Sequence, residues 1–163
     1  KCQEVWGIDI AKPRIERVQK EIGTQSGIHV SVEDANGRLN FEDGFFDTII
    51  AIAVLEHIFN PYHFVRECHR LLKKEGKLIV QVPNVAWLPN RIRLLMGRLP
   101  VTSDAIGWDG GHLHYFTRDS LKRLYSDEGL KIVKITSGGI FPKFRRIWPS
   151  LLGADIFVVA VKK

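Results

Sequence analysis

The sequence predicts an α/β domain: a mostly parallel sheet, helices on both faces, and an antiparallel C-terminal edge strand. Three observations carry this. Short apolar runs alternate with segments of helical periodicity through most of the chain. The run "FDTIIAIAV" is apolar on both faces, as a parallel strand covered from both sides has to be. Towards the C-terminus two strand-like runs follow one another with no convincing helix between them. A hairpin joins such a pair most simply, because a parallel return needs a crossover.

Each element has its own warrant. Val5–Asp9 reads as a short buried strand. In "AKPRIERVQKEIG", Pro13 stands near a helix start, Ile15, Val18 and Ile22 recur at helical spacing, and Gly23 can stop the helix. "IHVSVED" is a second strand and "NGRLNFEDG" a polar turn region. After the apolar run beginning at Phe46, Asn60–Leu72 is a helix with Asn60 as cap and Pro61 at its first position. Phe64, Val65, Cys68, Leu71 and Leu72 form its apolar stripe.

"EGKLIVQVPN" is a turn and a strand, "NRIRLLMGRLP" a basic amphipathic helix, and "VTSDAIGWDGG" a loop. "TRDSLKRLYSDEG" is a helix with Thr117 as N-cap and Gly129 just past its end. "LKIVKI" and "ADIFVVAVKK" are the last strands, joined by the long segment "TSGGIFPKFRRIWPSLLG".

A chain of 163 residues, 45% hydrophobic and 26% charged, suits a single globular domain over residues 1–163. Cys2 and Cys68 lie far apart without a CxxC pattern, which argues against a disulfide scaffold or a thiolate zinc site and for a reducing, cytoplasmic setting. No apolar run reaches the roughly 18 residues of a membrane-spanning helix. The net charge of +6 favours anionic partners, but the positive residues are spread over several helices, so nucleic acid is not expected as a partner.

In open α/β sheets ligands sit beyond the carboxyl ends of the strands. Those ends read Asp9-Ile10, Glu33-Asp34-Ala35, Ala53 through His57, and Pro83-Asn84. A carboxylate at one strand end can accept bonds from vicinal ribose hydroxyls, and one at the next can accept a bond from an exocyclic amine. Such a pair suits an adenosine. The competing reading is that Asp9 and Asp34 begin loops or cap helices.

"VWGIDIAKPRIERVQK", "VEDANGRLNFEDGFFDTIIAIAVLEHI" and "LLKKEGKLIVQVPN" resemble successive motifs of class I S-adenosylmethionine-dependent methyltransferases, over Val5 to Asn84. The similarity resumes at "GHLHYFTRDSLKRLYSDEGLKI". The resemblance implies a Rossmann-like fold, S-adenosylmethionine as cofactor, and methyl transfer to an oxygen or nitrogen of a small-molecule acceptor. It implies that Asp9 binds the ribose hydroxyls, Ile10 lies along the adenine, Asp34 bonds the adenine amine and Ala35 lines that pocket. Ala51, Ile52 and Ala53 match the strand end whose backbone faces the cofactor, and Asp47 is structural. The family's first strand and glycine-rich loop precede the position of Lys1, and none of the 14 glycines replaces that loop. The expectation is an N-terminally incomplete domain, or one that pairs with another chain, exposing the strands of Val5 and Phe46.

Glu56 and His57 follow the third strand, near where the donor methyl should point. His57 can remove a proton from a substrate hydroxyl, Glu56 can orient it, and His114 is a second candidate base. The competing reading has Glu56 bonding backbone at the next helix's start, with His57 packed beneath. His112, His114 and Tyr115 line an acceptor pocket or anchor the following helix. Some family members hold Mg²⁺ with a Glu-x-x-Glu-His run and a later histidine; here Ala53 replaces the first carboxylate and only His112 and His114 remain as later ligands. Mg²⁺ prefers several oxygens, so no metal is expected. His63 and His69 read as ordinary helix residues. "NRIRLLMGRLP" and "FPKFRRIWPSLLG" admit a peripheral membrane contact as well as plain packing with a solvated basic side. A homo-oligomer stays open. The competing functions are a non-catalytic binding module that keeps the fold and a nucleotide-dependent oxidoreductase.

Overall fold

The computed structural model describes residues 3–23, 25–139 and 147–163. The chain divides into two compact units, Lys1–Asn40 and Phe41–Lys163. In the first, β1 (Val5–Asp9) and β2 (Ile28–Val32) pair in parallel around the crossover helix α1 (Lys12–Ile22). Pro13 stands in the first turn of α1, where its missing N–H costs nothing. Gly23 closes the helix at φ 56°, donating its N–H to the Gln19 carbonyl. Trp6 and His29, partners in register, stack with ring centroids 4.0 Å apart.

The second unit holds a four-stranded sheet in the order β3-β4-β6-β5: β3 (Phe46–Ile52), β4 (Leu72–Pro83), β5 (Leu130–Gly138) and β6 (Asp155–Lys162). β3 and β4 are parallel; β6 runs antiparallel to both β4 and β5. Three strands therefore point one way and only β6 opposes them. The antiparallel edge is a β5–β6 hairpin in which β5 is outermost and β6 lies inside. The basic apolar stretch Ile140–Arg146 lies outside the described residues. After it comes α5 (Pro149–Leu152), a single turn.

One face of this sheet is the core. Leu78, Val80 and Val82 on β4 and Ile156, Val158 and Ala160 on β6 are buried, and Ala51, Val80 and Val158 lie in one register row. The helices α2 (Pro61–Leu71) and α4 (Arg118–Asp127) pack together over it, burying Phe64, Val65, Cys68, Leu71, Leu121, Leu124 and Tyr125. The Asn60 side chain caps α2 by accepting from the His63 N–H at 3.1 Å, and Thr117 with Ser120 forms a capping box on α4. Cys68 is a free, buried thiol whose pKa burial pushes up.

Two elements differ from the sequence reading. β4 begins at Leu72 rather than after the Glu75-Gly76 turn, and its register against β3 shifts between Phe46 and Thr48. Gly76 is required there, since a Cβ would lie 2.7 Å from the Lys73 carbonyl oxygen. The basic helix is short: α3 (Leu88–Leu95) precedes Gly97 at φ 70°. β1 and β3 each have a single neighbour among the described residues, and Ile50 and Ile52 on β3 are exposed.

Burial separates the two faces energetically. Leu78→Ala is expected to lower unfolding stability by about 2–5 kcal/mol. Ile50→Ala, at a side chain 64% exposed, should stay within about 0.5 kcal/mol. Urea denaturation of the two variants measures both.

Candidate functional site

In the first unit the two predicted acids stand at the carboxyl ends of adjacent parallel strands. Asp9 ends β1, and its carbonyl accepts from the Glu33 N–H one residue beyond β2. The Asp9 carboxylate accepts from the Ala11 N–H at 2.7 Å and from Arg14 at 3.3 Å. Asp34 accepts from the Asn36 backbone and side-chain amides, both at 2.9 Å and both on Oδ1. Both carboxylates thus begin the loops that follow their strands. Both carboxylates stay accessible to solvent, and the bond from Ala11 on Asp9 and that from Asn36 on Asp34 hold their pKa values below the usual range. They are ionised acceptors at neutral pH. Beside them Ile10 is 65% exposed and Ala35 half-buried.

In the second unit, β3 delivers the chain into a strained turn. Ala51 is buried, Ile52 exposed, and Ala53 sits in the left-handed region at φ 52° while its N–H donates to the Gln81 carbonyl. The next residues, Leu55–His57, form a 3₁₀ turn. Strain of this kind, about 1–2 kcal/mol for a residue with a Cβ, persists where the surroundings over-determine it. Here Leu55 is fully buried on one side of the turn and the Glu56 carbonyl is bonded on the other, accepting from the N–H groups of Leu113 (2.8 Å) and His114 (3.1 Å).

The nearest backbone donor to the Glu56 carboxylate is its own N–H, too poorly aligned for a regular hydrogen bond. Glu56 is 1% exposed, and neither carboxylate oxygen has a hydrogen-bond partner. Burial drives its pKa up. His112 is buried beside it, Nε2 lying 3.9 Å from Glu56 Oε1. Burial, and then the neighbouring His57, holds the His112 pKa down. The His57 ring meets the His112 ring edge-on at 4.8 Å and is exposed rather than packed beneath Glu56.

Behind His112, Nδ1 lies 2.7 Å from Thr102 Oγ1, and the Thr102 hydroxyl donates to Asp109. Asp109 also accepts from the N–H groups of Thr102 (2.7 Å) and Ser103 (2.9 Å). His114 is placed apart: its Nε2 faces the Phe59 carbonyl at 3.2 Å. Asn84, at the end of β4, spends its side-chain amide on the carbonyls of Ser150 and Gly153.

Residues 1–80 match the family model described as a methyltransferase domain. Over that stretch, just under half of its length, the chain is similar to S-adenosylmethionine-dependent methyltransferases. A ubiquinone biosynthesis O-methyltransferase from Xanthomonas oryzae pv. oryzae is 35% identical over 86 residues, covering 50% of this chain and 34% of that protein. A protein named "Probable S-adenosylmethionine-dependent methyltransferase" from Mycobacterium tuberculosis is 38% identical over 64 residues, 38% of this chain and 23% of that one. The matched stretch thus spans about a third or less of these relatives. Among solved structures, a methyltransferase from Methanosarcina mazei superposes with a TM-score of 0.69 at 20% identity, covering 98% of this chain and 82% of that one. One from Mesorhizobium loti gives 0.69 at 14%, covering 98% and 80%. These two share the fold.

Thr102 and Asp109, which brace His112, were not legible as site residues. The signal was faint: an acid followed by two glycines and then a histidine, inside a segment readable only as loop. The turn at Ala53 generates a test. Ala53→Val should cost about 1–3 kcal/mol, because a β-branched side chain resists φ > 0, whereas Ala53→Gly should remain within about 1 kcal/mol of the parent. Thermal unfolding of both variants checks it.

Proposed function

We propose that this domain transfers the methyl group of S-adenosylmethionine to an oxygen or nitrogen of a small-molecule acceptor. The observation that carries the reading is the pair of ionised, accessible carboxylates, Asp9 and Asp34, ending adjacent parallel strands. They fit an adenosyl group: Asp9 keeps acceptor capacity for ribose hydroxyls, and Asp34 Oδ2 lies outside its bonds to Asn36 and can take the adenine amine. The exposed Ile10 and the half-buried Ala35 offer apolar surface to the base, and Ala51, Ile52 and Ala53 are the strand end assigned to the cofactor. S-adenosylmethionine already carries an activated methyl group, so the chain's task is alignment and handling of the acceptor's proton.

His57 is the assigned base. It is exposed at the end of the strained turn, and its Nδ1 donates to the Gly111 carbonyl at 3.2 Å, which leaves Nε2 as the acceptor. Glu56 and His112 stand beside it. His114, engaged with Phe59, is the weaker candidate. The relatives named for O-methyl transfer support oxygen as the acceptor atom. Cys68 as a free thiol suits the cytoplasmic setting.

Calorimetry separates this reading from its competitors. S-adenosylhomocysteine is expected to bind and NAD not to. Asp9→Ala and Asp34→Ala should each weaken S-adenosylhomocysteine by at least about tenfold, the usual loss for a bond to a charged group. Binding of NAD alone would overturn the methyl-transfer assignment; binding without turnover of any hydroxyl or amine acceptor would favour a non-catalytic module.

We also propose that the region of α3 touches a membrane surface. No helix among the described residues is long and apolar enough to cross a membrane. Leu95 is 89% exposed and Trp108 72%, and Leu94, Met96 and Leu99 are exposed near Arg91, Arg93 and Arg98. Co-sedimentation with vesicles rich in anionic lipid is expected, weakening several-fold in Leu95→Glu. Equal partition into neutral and anionic vesicles would remove the electrostatic part of this contact.

A further inference from the structure

We propose that Asp109 is a positioning residue for the reaction: its two carboxylate oxygens fix which nitrogen carries the hydrogen in both imidazoles of the site. Oδ1 does so for His57 and Oδ2 for His112. The Asp109 side chain is 7% exposed, and both of its oxygens are engaged. Oδ1 accepts from the N–H groups of Thr102 and Ser103, at 2.7 and 2.9 Å. Oδ2 accepts from the Thr102 hydroxyl.

The Oδ1 branch staples a loop. Asp109, Gly110 and Gly111 all lie in the left-handed region, at φ 42°, 67° and 80°. No strand ladder holds such a stretch, so its shape depends on what grips it from outside. The grip is close: a Cβ on Gly110 would come 2.7 Å from the Ser103 Cβ. The stapled loop presents the Gly111 carbonyl to His57 Nδ1 at 3.2 Å. A carbonyl only accepts, so the hydrogen of the neutral ring sits on Nδ1 and the lone pair on Nε2. A free histidine side chain favours the reverse arrangement. A base working through Nε2 therefore needs this carbonyl held in place.

The Oδ2 branch works through hydrogen-bond direction. A carboxylate accepts only, so the Thr102 hydroxyl gives its single proton to Asp109. Thr102 Oγ1 then has lone pairs alone to offer His112 Nδ1, 2.7 Å away, so Nδ1 carries the hydrogen and donates. His112 Nε2 is left bare, 3.9 Å from Glu56 Oε1. His112 thus offers no donor to the site, and the acceptor hydroxyl is free to meet the His57 lone pair. One buried acid imposes the same proton arrangement on two rings. Its use in the reaction rests on the methyl-transfer reading with His57 as base; the proton arrangement itself does not.

Long-range proton–nitrogen correlation NMR on the isotope-labelled full chain, at mildly alkaline pH, reads the tautomer of each of its six histidines, assigned by single substitution. His57 and His112 are each expected as a single Nδ1–H tautomer. Asp109→Asn keeps an acceptor at Oδ1 but puts a donor in place of Oδ2, so the Thr102 proton turns to His112. In that variant His57 should stay Nδ1–H while His112 reverses to Nε2–H. Asp109→Ala should lose both arrangements, with His57 shifting to mainly Nε2–H. Circular dichroism verifies folding; should Asp109→Ala fail to fold, the opposite responses of the two rings in Asp109→Asn decide. Parent tautomers retained in every folded variant, or Nε2–H on His57 in the parent, overturn the proposal. Calorimetry with S-adenosylhomocysteine on the same samples keeps the two readings separable. The Asp109 network lies wholly in the second unit, so affinity in the variants should equal that of the parent. The expected tautomers without any S-adenosylhomocysteine binding uphold the positioning and sink the methyl-transfer reading; binding with the wrong tautomers loses the positioning alone.

Discussion

A carboxylate shut away from water at the end of β3 sets the terms for the loops around it. Glu56 reaches that position because β3 pairs with β4 in parallel register and then turns sharply at Ala53, seating Leu55 in the core and swinging the next side chain inward. Its peptide carbonyl draws the chain back from residue 113 to lie alongside. Burial of an acid without donors is costly unless something compensates it. The segment returning to it brings the imidazole of His112, braced through Thr102 to Asp109.

The first unit treats its acids in the opposite manner. Asp9 and Asp34 remain wet, each receives backbone donors, and each is easier to ionise as a result. Glu56, by contrast, is sealed from water.

Much of this architecture could be read in the amino acids. Pro13, Pro61 and Thr117 mark helix starts, and Gly23 and Gly129 mark ends, because caps and punctuation act locally. The acids after the first two strands were visible for the same reason. The insertion of β6 between β4 and β5 was not, since strand order is decided by long-range pairing. Nor was the start of β4 at Leu72, where a polar run continues the strand through an irregular register. At the site, Glu56 and His57 announce themselves as a charged pair after an apolar run. The choice of His112 over His114 depends on which way a loop folds back, and residues two apart look alike in a sequence.

The placement of β6 bears on how the molecule assembles. β4 and β5 never touch as neighbours; each completes its ladder only against a strand that lies later in the chain than both. During synthesis the middle of the sheet therefore stays open until that segment leaves the ribosome, and α2 and α4 can close only over an unfinished floor. A nascent chain of this design carries apolar ladders in waiting, and is the kind of client that chaperones shield until its last piece is in hand.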